Sequence, residues 1–249
     1  MKTTLGIERE RFIVDATDRK IIPAIETLLP KAQRIAEMKS LPKNSFGYEL
    51  FAGQIEDRTP PCGSIEDLKR VLRTNDEILN KIASEDGFGF DFTEFAEDSQ
   101  IPVLMVNPFD QRHKDIWNSI SEERRLAASR VAATHVHIAV KEEQAVRVLK
   151  ACDKTLIDCL IKIGDHSDGK RTTAYKIMSQ SNGIPPVFSS TEQLLSYIQK
   201  HDGERNVWDL VRYKPSTGTI EFRMFGATED IEEIAYYVEV CLDLYRSSI

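Results

Sequence analysis

Alternation of apolar and polar residues marks the opening stretch GIERERFIVD, residues 6 to 15, as a β-strand; its period of two puts Glu8 and Glu10 on one face. Residues 23 to 39 carry a helical pattern in which Pro30 predicts a kink or break. Residues 45 to 61 read as a second strand ending at a double proline. Ser64, with Asp67 three residues on, opens a helix running to about Ala83. Residues 85 to 117 mix Gly, Phe and Asp with short apolar pieces and give no clear period. Ser121 opens another helix, which leads into the strand THVHIAV at 134 to 140. Glu142 to Ile163 is the clearest amphipathic helix. Polar loops follow at 164 to 173 and 181 to 190, then a short helix at 191 to 200. Two strands, NVWDLVRY and TGTIEFRMF, meet at the hairpin turn KPSTG, and a helix from about Thr228 to Arg246 closes the pattern. Strands interrupted by helices and ending in a hairpin predict an α+β fold with helices packed on one side of the sheet, in a single domain over residues 1 to 249.

The same parity divides the chemistry. In TGTIEFRMF, Ile220, Phe222 and Met224 share one face, and Thr219, Glu221 and Arg223 the other. In THVHIAV, Val136, Ile138 and Val140 lie opposite His135 and His137. The first strand adds Glu8 and Glu10, and the second adds Glu49 and Glu56, which need a bulge near Gly53 or a strand end to face the same way. Taken singly, E-x-E reads as a solvated edge, E-x-R as a cross-strand ion pair, and H-x-H as either a metal or phosphate site or a half-wet polar face. On adjacent strands they make one sheet face crowded with carboxylates, which divalent cations neutralise. Mg²⁺ takes hard oxygen ligands and bridges to nucleotide phosphates, so the composition is that of a phosphoryl-transfer site.

Composition narrows the partners. Net charge is −7 over 249 residues, with no long Lys/Arg block, so nucleic acid is not expected, while a phosphate-bearing small molecule remains compatible. Arg124, Arg125 and Arg130 read as the wet face of a helix. No apolar run reaches the length of a membrane span, the first residues have no apolar signal core, and four scattered cysteines read as reduced thiols. A cytoplasmic protein is expected. No Cys has the partners of a thiol nucleophile, and Gly-rich phosphate loops are missing. Trp117 and Trp208 read as core or pocket-wall aromatics, Arg212 as either a substrate contact or a surface residue, and His113, His166 and His201 as exposed.

GIERERFIVD, ELFAGQIEDRTP, THVHIAV, GIPPVFSSTEQLLSYI and VWDLVRYKPSTGTIEFRMF occur in the order seen in the glutamate–cysteine ligase type-2, or carboxylate–amine ligase, family, which the chain resembles from about residue 5 to beyond 230. The resemblance implies a glutamine synthetase/guanidino kinase-like fold: an antiparallel sheet curved into a funnel with helices on its outer face. It implies ATP-driven activation of a carboxylate to an acyl phosphate, attack by an amine, and Mg²⁺ or Mn²⁺ as the metal. The substrates would be small molecules, and a homodimer is expected. Matched by position, Glu8, Glu10, Glu49, Glu56, His137 and Glu221 correspond to the metal-binding set, with His135 matching less well. Arg223 corresponds to a phosphate contact and, with Glu10 and Glu56, to the catalytic group; Arg212, Lys176 and Thr173 correspond to nucleotide contacts. The chain departs from the family in IGDHSDGKRTTAYKIM, where either Lys176 or Arg171 supplies the positive charge, and in VNPF, where Asn107 stands in place of a more usual His. A metal-dependent hydrolase using His135, His137 and carboxylates around Zn²⁺ or Fe is a rival reading, but it leaves Glu8, Glu10 and Arg223 without roles. An inactive nucleotide-binding relative is another.

Overall fold

The computed structural model describes residues 3–249. Its centre is an antiparallel sheet of seven strands: β1 (Leu5–Asp15), β2 (Phe46–Tyr48), β3 (Gln54–Arg58), β4 (Phe88–Asp91), β5 (Ala133–Ala139), β6 (Val211–Lys214) and β7 (Thr219–Gly226). The order is β2-β3-β1-β5-β7-β6, with β4 pairing the far end of β1, and the sheet stays open between β2 and β6. β1 is therefore an interior strand, so Glu8 and Glu10 do not sit on a solvated edge.

Among the described residues the helices are α1 (Ile25–Met38), α2 (Ile65–Asp86), α3 (Gln111–Ser119), α4 (Glu122–Arg130), α5 (Glu142–Ala151), α6 (Lys154–Gly164), α7 (Lys170–Ser179), α8 (Thr191–Lys200) and α9 (Ile231–Ser248). None is long and apolar enough to cross a membrane. The Ser64 hydroxyl accepts from Asp67 N at 3.1 Å and caps α2, and left-handed Gly87 ends it, as Gly does at a helix C-terminus.

One face of the sheet is apolar. Ile7, Val136, Ile138, Ile220, Phe222 and Met224 join one core with residues of α2, α5, α6, α8 and α9. A neighbouring cluster packs Ile13 and Ile55 under α1 and α2. On the opposite face, Phe12 and Val14 join Phe51, Ile101 and Trp117 in a third apolar cluster that closes one end. The helices thus cover the expected face, and the polar face is left as a cavity with an apolar end wall.

Several expectations fail locally. Pro30 does not break α1: its missing N–H costs one hydrogen bond, and the stripe Leu28, Leu29, Ala32 and Ala36 carries the helix through. Residues 45 to 61 are two short strands joined by a turn, which leaves Glu49 in the turn and Glu56 on β3. The long amphipathic helix is two, because Asp153 accepts from Leu156 N at 2.9 Å and starts α6 afresh. Half of the polar loop at 164 to 173 belongs to the approach and first turn of α7. The strand expected at 206 to 213 begins only at Val211. Arg124 and Arg125 do not form a merely wet face, since they donate to the carbonyls of Met178 and Trp117.

Candidate active site

Strand register builds the site row by row. Glu8 pairs with Arg58 on β3 and with His135 on β5; His137 pairs with Glu221 on β7, which pairs with Arg212 on β6; Glu10 pairs with Glu56. Each of these side chains shares the parity of the polar face. The β5–β7 register shifts between Thr134 and Val136, leaving His135 at a bulge, where it turns toward its neighbours. Gly47 lies opposite Glu56, and a Cβ there would stand 2.7 Å from the Arg58 guanidinium, so any larger residue would shift that side chain.

Of these, Glu8, Glu10, Glu56, Arg58, His135 and Arg212 line a cavity of about 740 Å³. Glu8, His135 and Glu221 each offer a ligand atom, all within 4.8 Å of one another. His135 Nδ1 is 3.5 Å from oxygens of both Glu8 and Glu221, and His137 Nε2 is 3.5 Å from Glu8. Both nitrogens are buried, and neither makes a hydrogen bond. Arg212 Nε meets Glu221 Oε2 at 2.5 Å, Arg223 Nη1 meets Glu221 Oε1 at 2.6 Å, and Lys214 Nζ lies 3.5 Å from Glu8. Arg58 pairs with Glu56.

These charges polarise the site. Burial, with repulsion from Arg223, pushes His135 down to about 4, so the ring is neutral with a free lone pair, the form that binds a metal. Burial also opposes ionisation of Glu221 and Glu8. Arg212 and Arg223 nonetheless hold Glu221 well below the usual carboxylate range, and His137 and Lys214 do the same for Glu8. Glu10 is raised to about 8 by burial and by Glu56, and Glu49 to about 8 by burial and by Glu10. Carboxylates in surplus beside a neutral imidazole are the donor set of a divalent cation, and the buried, unbonded His135 Nδ1 fits one.

Of the residues singled out from sequence, Glu8, Glu10, Glu49, Glu56, Arg212 and Arg223 line this cavity, and Glu221 and His137 stand in its strand rows. Arg212 is not a surface residue, because it also donates to the carbonyls of Glu204 and Val207. Thr173 and Lys176 are exposed on α7 and do not line the cavity. Arg171 donates to the carbonyls of Arg223 and Met224 and so anchors β7 from behind. Trp208 is in the cavity wall and Trp117 in the end cluster. His113, expected to be exposed, is half-buried and lines the cavity. Sequence reasoning passed over Lys214 and Arg58, although each lies two residues from a chosen one, Arg212 and Glu56, and shares its face.

This fold is shared with two solved structures. A bifunctional glutathione synthetase from Pasteurella multocida superposes with a TM-score of 0.61 at 14% identity, over 98% of this chain and 39% of its own. A novel glutamine synthase homolog gives 0.53 at 12% identity, over 99% and 55%. The glutamate-cysteine ligase family 2 (GCS2) model matches residues 4–155, more than half of the chain, and the chain belongs to that family. A Rubrobacter xylanophilus protein provisionally named glutamate–cysteine ligase 2-3 is 24% identical, covering 96% of this chain and 68% of its own length. A Roseiflexus castenholzii protein provisionally named glutamate–cysteine ligase 2 is 25% identical, covering 92% and 62%. The chain thus spans roughly two thirds of the length of these relatives.

Proposed function

We propose that the protein is an ATP-dependent carboxylate–amine ligase that forms a γ-glutamyl or similar amide through an acyl phosphate. The observation that carries this reading is the convergence of Glu8, His135 and Glu221 beside three cations, Arg212, Lys214 and Arg223. In the first step a carboxylate oxygen of the acid attacks the γ-phosphorus of ATP, the bond to the β,γ-bridging oxygen breaks, and ADP leaves. In the second an amine attacks the acyl carbon and inorganic phosphate leaves.

Both steps gather anions, which is why cations on rigid strands matter. Arg223 is fixed by Glu221 on its own strand, and its remaining N–H groups suit the equatorial oxygens of the transferred phosphoryl group. Lys214 and Arg212 flank it on β6. Glu8, His135 and Glu221 would hold Mg²⁺ or Mn²⁺, with Glu10, Glu49, Glu56 and His137 close by; when bound, the metal would offset the charge of the triphosphate. Glu10 or Glu56, paired across β1 and β3, would in its ionised form accept the proton that the amine must lose.

The test is ADP release from purified protein supplied with ATP, Mg²⁺ and pairs drawn from an amino-acid panel. The ligase reading expects release only when an acid and an amine are both present. Turnover of an ester or amide without ATP would replace it with the hydrolase reading. ATP-induced thermal stabilisation with no turnover of any pair would leave an inactive binder.

A further inference from the structure

β7 carries one residue more than its partner strand where it passes His135. Between the pairs Thr134–Phe225 and Val136–Phe222, β5 contributes only His135, while β7 contributes Arg223 and Met224. A bulge of this kind re-aims a side chain and takes backbone groups out of the ladder. The Arg223 N–H still reaches the carbonyl of Leu210, at 2.8 Å. The carbonyls of Arg223 and Met224 are taken up by Arg171, whose Nη2 and Nη1 donate to them at 2.9 and 2.7 Å. Buried carbonyls without a donor are costly, and a guanidinium fork satisfies two successive ones at once.

Arg171 and Tyr175 stand one turn apart on α7 and so share a face of that helix. Both are buried, and neither lines the cavity. Tyr175 gives its one hydroxyl proton to the carbonyl of Trp208, at 2.8 Å. Its oxygen can then only accept, and it lies against the Arg223 guanidinium. Burial works against the Arg223 charge, while Glu221 and the Tyr175 oxygen favour it. α7 itself is held at both ends. Arg171 N donates to Ser167 Oγ at 2.9 Å, Thr172 Oγ1 donates to Asp165 at 2.6 Å, and Arg124 of α4 donates to the carbonyl of Met178 at 3.0 Å. One face of a pinned helix thus grips Arg223 at two points, backbone and head, without entering the cavity.

We propose that Arg171 and Tyr175 are positioning residues that act through Arg223: the first fixes its main chain at the bulge, the second the direction of its guanidinium. This rests on the ligase reading above. Glu221 holds the guanidinium at Nη1, at 2.6 Å, while Nε is buried without a hydrogen bond, so the ion pair alone leaves the fork free to pivot. The Tyr175 oxygen on a fixed helix stops that pivot. A reacting group misplaced by about 1 Å costs on the order of 100-fold in rate, so the hold matters to turnover more than to stability.

Steady-state ADP release and a nitrogen-15 spectrum of the arginine Nε–H groups test this together. Tyr175→Phe removes only the oxygen, and Arg171→Lys keeps the charge but loses the fork. Each should lower kcat on the order of 10- to 100-fold, with KM for Mg²⁺–ATP within about twofold of wild type. In an Arg223→Lys background neither should cost more than about twofold further, because residues that act as a unit are not additive. The Nε–H signal that disappears in Arg223→Lys should shift or broaden in both variants. Unchanged kcat, a loss carried by KM, or the full loss repeated in the Arg223→Lys background would each overturn the role. Should Arg171→Lys fail to fold, Tyr175→Phe carries the same comparison. Absent ADP release from the wild type, with the signal still displaced in the variants, would sink the ligase reading and leave the hold on Arg223. An undisplaced signal with wild-type release intact would sink the hold alone.

Discussion

Arg223 has two demands to reconcile: it pairs with Glu221 at 2.6 Å, and it is half-buried in the cavity wall, where the proposed reaction would bring phosphate. Lysine keeps the charge but loses the fork, so it can serve Glu221 or the phosphoryl group but not both. Arg223→Lys should therefore lower kcat by on the order of 100-fold or more, with a melting temperature within a few degrees of wild type, as for loss of one oriented transition-state donor. Undiminished kcat in that variant would remove Arg223 from the mechanism. At this scale the sequence was legible where a strand imposed parity, since Glu8, Glu10, Glu56, Glu221 and Arg223 all fall on the face that alternation assigned them. Alternation assigns a face but not a depth, so it could not favour His135 over His137; that preference comes from the β5–β7 bulge. His113 was read as exposed for another reason: it sits on a short helix, where no period of two assigns a face.

At the scale of the element, β1 has a second polar set that alternation had implied but the sequence reading left unused. Arg9 and Arg11 point to the helix-covered face, where both are buried. Arg9 bonds Asp57 through Nε at 3.1 Å and Nη2 at 3.2 Å, and Asp76 of α2 at 2.6 Å. Arg11 joins the same two acids, and Asn75 donates to Asp57 at 3.0 Å. Burial works against the Asp57 charge, yet Arg11 and Arg9 hold this carboxyl down at about 2. Two cations and two anions are thus balanced between β1, β3 and α2, directly behind the carboxylates of the cavity. Asp57→Asn would leave two buried guanidiniums with one acid between them. We expect a loss of about 3–5 kcal/mol in urea denaturation, the usual penalty for halving a buried pair. A loss below about 1 kcal/mol would mean that Asp76 and the rings of Phe90 and Phe92 suffice for the two arginines. The break between α5 and α6 was missed because the apolar stripe continues across it, from Val148 and Leu149 to Ile157 and Leu160, while the local cap at Asp153 decides the backbone.

For the whole molecule, the dominant electrostatic fact is a cavity where Glu8, Glu10, Glu49, Glu56 and Glu221 meet, in a chain of net charge −7. A divalent cation binding only the folded state must stabilise it by mass action, by about 2.7 kcal/mol at 100 times its Kd. Mg²⁺ or Mn²⁺ should raise the melting temperature and excess chelator should reverse the rise. The shift should vanish in Glu8→Gln or Glu221→Gln. Equal shifts in those variants would place the ion elsewhere. The overall architecture was readable because each strand declares its greasy side, which the helices then cover.

The arginines and glutamates of β1 alternate strictly, and this has a consequence for how the chain finds its native pairing. Sliding β1 by one residue against its neighbours would swap its faces, thrusting Arg9 and Arg11 toward the bay of acids and driving Glu8 and Glu10 beneath α2 against Asp57 and Asp76. Like charges would then oppose one another under the helices, and the cavity would lose its carboxylates. A misthreaded hairpin is thereby rejected by charge as well as by shape, so the residues that equip the strand for chemistry also proofread its assembly.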